Sequence, residues 1–228
     1  MRIAFLGDIA FFGRNTSQNK KYKELFAPIR KVLETCDYVI ANLECPLTLQ
    51  SRIIGGKSAY LKGDPRDIEI LKYIGITHVT LANNHIYDYR AQGMADTIKL
   101  LDENGIEWYG VNNKKGEIVD HESHLALMGY CCYSTNAKGL EKNSQFVDVL
   151  NPSQVESDIA ESISKGMLPV LSIHWGQEHV HFPNYDHIEV IRKLCKGKRV
   201  IVHGHHPHVI QGIENIDESL IEIGRAHV

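Results

Sequence analysis

Short apolar segments alternate with amphipathic segments along almost the whole chain, and this alternation restricts the fold more than any other feature. The apolar segments are rich in β-branched residues, which favours buried strands. The intervening segments repeat apolar residues at helical spacing, most clearly where Met94, Ile98 and Leu101 form one stripe that ends before Gly105. The alternation predicts an α/β fold with a mostly parallel central sheet.

The same pattern predicts the bounds of the elements. Strands are expected at residues 2–7, 38–43, 77–82, 106–110, 124–130, 168–173 and 199–203. Helices are expected at about 20–35, 66–74, 90–104, 152–165 and 185–196. A hairpin-like stretch from 199 to 223 predicts an added antiparallel part, and weakly ordered loops are expected at 50–64 and 133–150, which are rich in Gly, Ser, Asn and Lys.

Composition excludes several classes of protein. A chain of 228 residues with 43% hydrophobic and 23% charged residues is typical of a soluble domain with a sizeable core. The net charge of −3, without a basic stripe, gives no reason to expect a nucleic-acid partner. We find no convincing linker or repeat, so a single domain is predicted over residues 1–221.

Targeting signals and cysteines bear on the compartment. The apolar N-terminus is interrupted at Asp8, too early for a signal peptide or a membrane span, so it predicts a buried strand and no membrane segment. The five cysteines form no C-x-x-C pair and are odd in number, which favours reduced thiols. Together these features predict a cytoplasmic protein.

Polar residues collect where the predicted strands end. Ligands of open α/β sheets gather at the carboxyl ends of the strands, so we expect these side chains to share one rim. In chain order, the residues concerned are Asp8, Asn42, Glu44, Asn84, His85, Asp88, His174, His205, His206 and His208.

This combination of side chains has the chemistry of a metal centre. Carboxylate, imidazole and amide oxygen are ligands of divalent metals, and one carboxylate can bridge two ions. A neighbouring histidine that binds no metal can protonate a leaving group. The pattern therefore predicts a site for one divalent ion or two, with Mn, Zn and Fe as the candidates.

Each part also has an interpretation without a metal. Gly7-Asp8 is an ordinary turn sequence, and Asn83-Asn84-His85 taken alone is better explained as a helix N-cap cluster. Glu44 is equally well a loop carboxylate, and His174 a hydrogen-bonded core histidine. The metal interpretation depends on the combination. We place the histidine cluster at 203–208 on a turn between two strands.

The order of these motifs resembles that of the bacterial capsule-synthesis CapA (PGA_cap) family. The resemblance runs from Gly7 to about Ile216, through Gly-Asp, Asn-Leu-Glu, Ala-Asn-Asn-His, His-Trp-Gly and Gly-His-His-Pro-His-Val. It implies a relation to the calcineurin-like metallophosphatases and hence a four-layer α/β sandwich with mixed central sheets and metals at the sheet edge. It also implies a role in poly-γ-glutamate capsule formation.

The resemblance assigns roles to individual residues. It implies that Asp8 is the carboxylate ligand of the first strand and that Glu44 stands where metallophosphatases place a bridging aspartate. Asn84 matches the amide ligand and His85 the general acid. The histidine ligands are implied at His174 and in the histidine cluster, where His205 is preferred and His208 comes next. His206 competes with His208 because of Pro207, and His203 supports the structure.

Two departures from the metallophosphatase pattern weaken one metal position. Ile9-Ala10 follows Asp8 where an Asp-x-His motif is usual, and Pro207 alters the spacing of the Gly-His-x-His motif.

The leading hypothesis is a metal-dependent, phosphoesterase-type hydrolase that acts on an anionic polymer or a phosphate-containing small molecule, with capsule-synthesis proteins as further partners. The alternative is a non-catalytic component that binds metal or polymer in a capsule assembly complex.

The last seven residues call for a separate hypothesis. Glu222–Val228 reads as the translation of a common sequencing adapter. Family members typically continue beyond this point. We therefore predict that 222–228 is a non-native tail and that the natural chain is longer at its C-terminus.

Overall fold

The first half of the chain forms a sheet of four parallel strands. The computed structural model describes residues 1–121, 123–135 and 146–224. Within them, the strands of the first sheet lie in chain order, with every neighbouring pair parallel. They are β1 (Ile3–Ile9), β2 (Tyr38–Leu43), β3 (His78–Thr80) and β4 (Glu107–Tyr109).

The second half forms a mixed sheet of six strands in the order β5-β6-β7-β8-β10-β9. Its four inner strands are parallel, and the edge strands β5 and β9 are antiparallel to their neighbours. The strands are β5 (Gly116–Asp120), β6 (Ser123–Cys131), β7 (Leu168–His174), β8 (Ile201–His205), β9 (Ile213–Ile216) and β10 (Ser219–Glu222).

The helices lie between the strands as the sequence predicts, with ends that agree to about two residues. A 3₁₀ turn at Pro65–Asp67 precedes the second helix. The amide oxygen of Asn151 accepts hydrogen bonds from the first turn of the fourth helix, and Pro152 fits that turn because it has no N–H to satisfy. The helices are α1 (Tyr22–Leu33), α2 (Ile68–Ile74), α3 (Arg90–Glu103), α4 (Pro152–Ser164) and α5 (Tyr185–Cys195).

Strand alternation divides the apolar side chains between two faces of each sheet. In β2, Val39 and Ala41 pack against the helices α1 to α3, whereas Ile40 faces the second sheet. In β7, Leu171 packs against α4 and α5, whereas Val170 faces the first sheet. Three apolar cores therefore separate four layers in the order helices, sheet, sheet, helices, which confirms the predicted sandwich.

The structure differs from the sequence prediction in several elements. The strand β5 was not predicted, and the chain divides its strands between two sheets, which strand–helix alternation alone does not reveal. The histidine cluster begins inside β8 rather than on the turn, because β8 extends to His205. Residues 50–62 form neither helix nor strand, and 136–145, within the predicted loop 133–150, lie outside the described residues.

The predicted non-native tail begins in the last strand. Glu222 ends β10, and the buried Ile223 accepts a hydrogen bond on its carbonyl from Trp175 Nε1 at 2.7 Å. Residues 225–228 lie outside the described part of the chain. The origin of the tail stays a prediction.

Candidate metal centre

Asp8 and Asn42 lie side by side where β1 and β2 end, and they are paired in register. Asn42 Nδ2 donates to Asp8 Oδ1 at 2.7 Å, the His206 backbone N–H donates to Asp8 Oδ2 at 3.0 Å, and His208 Nδ1 lies 3.1 Å from Oδ2. Burial raises the pKa of Asp8, but the hydrogen bond with His208 and the electrostatic interactions with His174 and His205 outweigh burial and hold the pKa well below its ordinary value. Asp8 is therefore an ionised carboxylate surrounded by imidazoles.

Glu44 follows β2 and is 1% exposed. Its Oε1 lies 3.6 Å from His174 Nε2 and 3.9 Å from His208 Nε2. Among the described residues, its other carboxylate oxygen, Oε2, is buried without a hydrogen-bond partner. Burial, followed by the charge of Asp8, raises the pKa of Glu44 well above its usual range. A cation next to Glu44 would stabilise its ionised form.

Asn83 fixes the loop after β3, which leaves the side chain of Asn84 for another role. Asn83 Oδ1 accepts hydrogen bonds from the backbone N–H groups of His85 at 3.0 Å and Ile86 at 2.8 Å. The cap-like interaction thus belongs to Asn83. Asn84 Oδ1 lies 3.0 Å from His174 Nε2, so this amide oxygen points to the cluster.

His85, Asp88 and Lys57 form a buried ionic group beside Asn84. His85 Nδ1 lies 2.7 Å from Asp88 Oδ2, and Lys57 Nζ forms an ion pair with Asp88 Oδ1. Lys57 Nζ also donates to the Asn84 carbonyl at 2.5 Å. Burial lowers the pKa of Lys57, and the charge of Asp88 opposes that change. The histidine predicted to be the general acid is therefore oriented by a carboxylate.

The second sheet supplies the histidines. His174 and His205 end the adjacent strands β7 and β8 and are paired in register. The next turn carries His206 and His208, whose backbone φ values of 90° and 57° are rare for residues other than glycine. His205 Nδ1 lies 3.5 Å from Asp8 Oδ1. These positions bring histidines from two strand ends onto the carboxylates of the first sheet.

Burial keeps two of the imidazoles in the neutral form that binds metals. It lowers the pKa of His206 to about 4 and that of His174 well below its ordinary value. The two rings lie 4.7 Å apart between centroids. Among the described residues, His206 Nδ1 is buried without a hydrogen-bond partner.

Three groups of side chains bring their ligand atoms within 4.8 Å of one another. The sequence prediction did not include Glu178, an exposed residue after β7, because a surface glutamate in a loop carries no local signal. Glu178 Oε1 lies 4.0 Å from His206 Nε2. The groups are Glu44 with His174 and His206, Asp8 with Glu44 and His208, and Glu178 with His206 and His208.

The donor set fits a divalent metal. It combines carboxylates, imidazoles and an amide oxygen, the mixture that Mn, Zn and Fe sites share. Unpartnered buried polar atoms are costly, and both Glu44 Oε2 and His206 Nδ1 would gain a partner from a bound cation. The structure thus provides candidate metal-ligand groups without identifying the ion.

The ten site residues predicted from the sequence lie in this one region. A continuous series of pairwise contacts joins Asp8, Asn42, Glu44, Asn84, His174, His205, His206 and His208, and His85 with Asp88 lies beside them. The sequence prediction also missed Lys57, since its loop was expected to be weakly ordered. The roles of these residues, including the choice between His206 and His208, stay predictions.

Within the described residues, no helix combines the length and the apolar character needed to cross a membrane.

Comparison with solved structures identifies the fold. The chain is similar to a sulfate thiohydrolase, SoxB, of Thermus thermophilus, with a TM-score of 0.56 over 90% of this chain and 37% of that chain. The two share 13% sequence identity. This similarity confirms the predicted α/β sandwich fold.

Comparison with curated proteins gives two relatives of similar identity. The chain is 27% identical to the PGA biosynthesis protein CapA of Bacillus subtilis, covering 97% of this chain and 61% of that protein. It is also 27% identical to the capsule biosynthesis protein CapA of Bacillus anthracis, covering 97% of this chain and 57% of that protein. The chain thus spans about three fifths of the length of these relatives.

The model of one protein family matches nearly the whole chain. Its description is bacterial capsule synthesis protein PGA_cap, and the match covers residues 2–222. That range includes every residue of the candidate metal centre. This chain belongs to the bacterial capsule synthesis protein PGA_cap family.

Proposed function

We propose that this chain is a metal-dependent hydrolase of the phosphoesterase type that acts in the synthesis of a poly-γ-glutamate capsule or another extracellular anionic polymer. The convergence of Asp8, Glu44, Asn84 and the buried histidines carries this proposal, together with the unpartnered Glu44 Oε2. The name of the family and of its curated relatives supports the capsule context. The proposed substrate is an anionic polymer or a phosphate-containing small molecule, and capsule-synthesis proteins are the proposed partners.

The cation would be held by residues from both sheets. Asp8, Glu44 and Asn84 would supply oxygen ligands, and His174, His205 and either His208 or His206 would supply nitrogen ligands. When bound, a divalent ion activates water and neutralises charge on a phosphoryl group. The arrangement accommodates one ion or two, and Ala10 in place of the usual histidine makes one position weaker.

His85 would protonate the leaving group. Its Nδ1 is engaged by Asp88 at 2.7 Å, so Nε2 is the ring nitrogen that remains for a substrate. A carboxylate in this position fixes the ring orientation and the tautomer of His85. The same residues would serve hydrolysis at an acyl centre, where the proton goes to a leaving amine instead of an alkoxide.

A metal analysis combined with a substrate screen tests the proposal. The purified protein should contain Mn, Zn or Fe by elemental analysis and hydrolyse phosphomonoesters or phosphodiesters after loading with one of these ions. His85→Ala should retain the metal and lose roughly 10²-fold or more in rate, the usual contribution of a general acid. His121→Ala is the control, because it alters an exposed histidine in the turn between β5 and β6, at the end of β6 opposite to the centre.

The outcomes separate catalysis from binding. A wild-type protein that neither retains a metal nor hydrolyses any ester would refute the hydrolase. The second candidate function, a non-catalytic component that binds metal or polymer, is favoured by Ala10, since a ligand of the usual first motif is missing. A metal-loaded but inactive protein that binds poly-γ-glutamate would support this second function.

A further inference from the structure

The ammonium group of Lys57 is buried beside His85, the proposed general acid, and contacts Asp88 and Asn84. Its side chain is 1% exposed, although it comes from the irregular loop at 50–62. Lys57 Nζ donates to the Asn84 carbonyl at 2.5 Å, pairs with Asp88 Oδ1 and lies 3.2 Å from His85 Nδ1. Burying an ammonium group costs free energy unless it is fully paired, so its position here requires an explanation.

The carboxylate of Asp88 determines which ring nitrogen carries the hydrogen when the His85 imidazole is neutral. Asp88 Oδ2 accepts from the Leu61 backbone N–H at 2.7 Å and lies 2.7 Å from His85 Nδ1. Because a carboxylate only accepts, His85 Nδ1 must donate to it. An Nδ1 that carries a hydrogen cannot also accept one from Lys57. The ammonium therefore acts on His85 through Asp88.

Anchoring of the loop does not account for Lys57. The backbone N–H of Ile54 donates to the Asp88 carbonyl at 3.0 Å, and that of Leu61 donates to the Asp88 side chain. These bonds hold the loop to Asp88 without an ammonium group. What Lys57 adds is a fixed positive charge on the other carboxylate oxygen and a hydrogen bond to the backbone of Asn84.

We infer that Lys57 is a positioning residue, which holds Asp88 so that its Oδ2 orients His85 and holds the Asn84 backbone so that its amide oxygen faces His174. This inference rests on the proposed function. Asn84 Oδ1 lies 3.0 Å from His174 Nε2, so a single ammonium group fixes both the acid and an amide ligand. Removal of the ammonium takes away the ionic partner of Asp88 Oδ1 and leaves the Asn84 backbone without that restraint.

Leaving-group dependence distinguishes positioning of the acid from a general structural role. The probes are phenyl phosphate, whose leaving group needs a proton, and 2,4-dinitrophenyl phosphate, whose leaving group does not; the matching methyl diesters replace them for a diesterase. In the metal-loaded protein, Lys57→Met should lose roughly 10²-fold in kcat with phenyl phosphate, as expected when a general acid is misplaced. The same variant should lose far less with the dinitrophenyl ester.

Three variants complete this comparison. His85→Ala should show the same selective loss, and the double variant should lose no more than His85→Ala alone, since Lys57 acts through His85. Lys62→Met is the matched control, because Lys62 belongs to the same loop segment and is exposed. Equal losses of Lys57→Met with both esters, or full activity with phenyl phosphate, would overturn the inference.

A spectroscopic measurement tests the inference without catalysis. The hydrogen on His85 Nδ1 should give a downfield proton resonance in the zinc-loaded or metal-free protein, assigned by its loss in His85→Gln. The resonance should persist in Lys62→Met and disappear in Lys57→Met. It should also disappear in Lys57→Gln, which replaces Lys57→Met in this test if the methionine variant fails to fold. Its persistence in a folded Lys57 variant refutes positioning by Lys57 whether or not the protein hydrolyses esters. If the wild type shows the lysine-dependent resonance but no hydrolysis, the proposed function fails alone.

Discussion

A bound cation would reverse the energetic effect of ionising Glu44. Without a cation, its carboxylate is buried beside Asp8, and both burial and the Asp8 charge oppose ionisation. With a cation, the same position supplies an anionic ligand. Function and the stability of the metal-free protein therefore make opposite demands on this residue.

Glu44→Gln should stabilise the chelator-treated protein at pH 8. The folded-state pKa of Glu44 lies above its unfolded value, so the folded protein binds the proton more tightly and loses stability as the pH rises above about 4.5. Glutamine removes this loss, at about 1.4 kcal/mol for each unit of pKa shift. Urea unfolding at pH 5 and pH 8 measures the difference, which should grow with pH.

The control for this substitution is Glu218→Gln, which alters an exposed carboxylate in the turn between β9 and β10. It should leave the pH dependence of unfolding nearly unchanged. A Glu44→Gln protein that is less stable than wild type at pH 8, both without metal, would contradict the pKa argument. In the metal-loaded protein, we expect Glu44→Gln to be less stable than wild type, since this variant loses an anionic ligand.

Local sequence predicts which residues gather in the centre but not how the histidines divide their roles. Asp8, Glu44 and His174 could be predicted because they follow strong apolar strands. The positions of His206 and His208 depend on a turn in which both residues have positive φ values. Histidine seldom adopts such values, and the local sequence pattern does not predict them. Glu178 and Lys57 come from loops, where position is decided by tertiary contacts alone.

At the scale of elements, close contact between the sheets supports the loop that carries Asn84. A Cβ added to Gly129 of β6 would lie 2.5 Å from Thr80 Oγ1, 3.0 Å from Gly110 Cα and 3.1 Å from Ala82 Cβ. Ala82 directly precedes Asn83 and Asn84. The absence of a side chain at Gly129 therefore allows β6 to approach β3 and β4 beneath the centre.

Gly129→Ala should separate the two sheets at this contact. Overpacking of this kind costs about 1–3 kcal/mol, and we expect a loss in that range in urea unfolding. Gly212→Ala is the control, since an added Cβ there meets no atom within 4 Å. Equal stability of the Gly129 and Gly212 variants would show that the sheets adjust freely at this point.

The elements themselves were largely predictable. The helices of the described residues repeat apolar residues regularly enough to predict both their type and their bounds, as in α3, where Met94 and Leu101 are buried. The strand β5 was missed because its five residues, GEIVD, contain only a brief alternation and follow two lysines. Division of the strands between two sheets depends on which strands pair, and pairing is not encoded locally.

At the scale of the whole molecule, the candidate centre joins the two sheets. The first sheet and its loops carry Asp8, Glu44 and Asn84, and the second carries His174 together with the cluster at 205–208. A ligand that binds only the folded state adds its binding free energy to stability. In this architecture a bound ion would stabilise the packing of one sheet on the other.

Metal addition should therefore raise the melting temperature of the chelator-treated protein. An ion present at about 100 times its Kd adds about 2.7 kcal/mol. For a chain of this length, each kcal/mol raises Tm by about 2–4 °C. Scanning calorimetry with Mn, Zn and Fe should show the shift in wild type and in His121→Ala, and a much smaller one in Glu44→Gln. A shift of equal size in Glu44→Gln would place the ion elsewhere.

The distribution of these ligands along the chain also sets an order of events during synthesis. Asp8, Glu44 and Asn84 leave the ribosome well before His174, and His206 and His208 come later still. The nascent first sheet thus carries an incomplete set of donors, with carboxylates and an amide but none of the β7 and β8 imidazoles. Binding of a metal ion to the full set of ligands is therefore a late step in biogenesis. It requires that both sheets have been synthesised and have packed against each other.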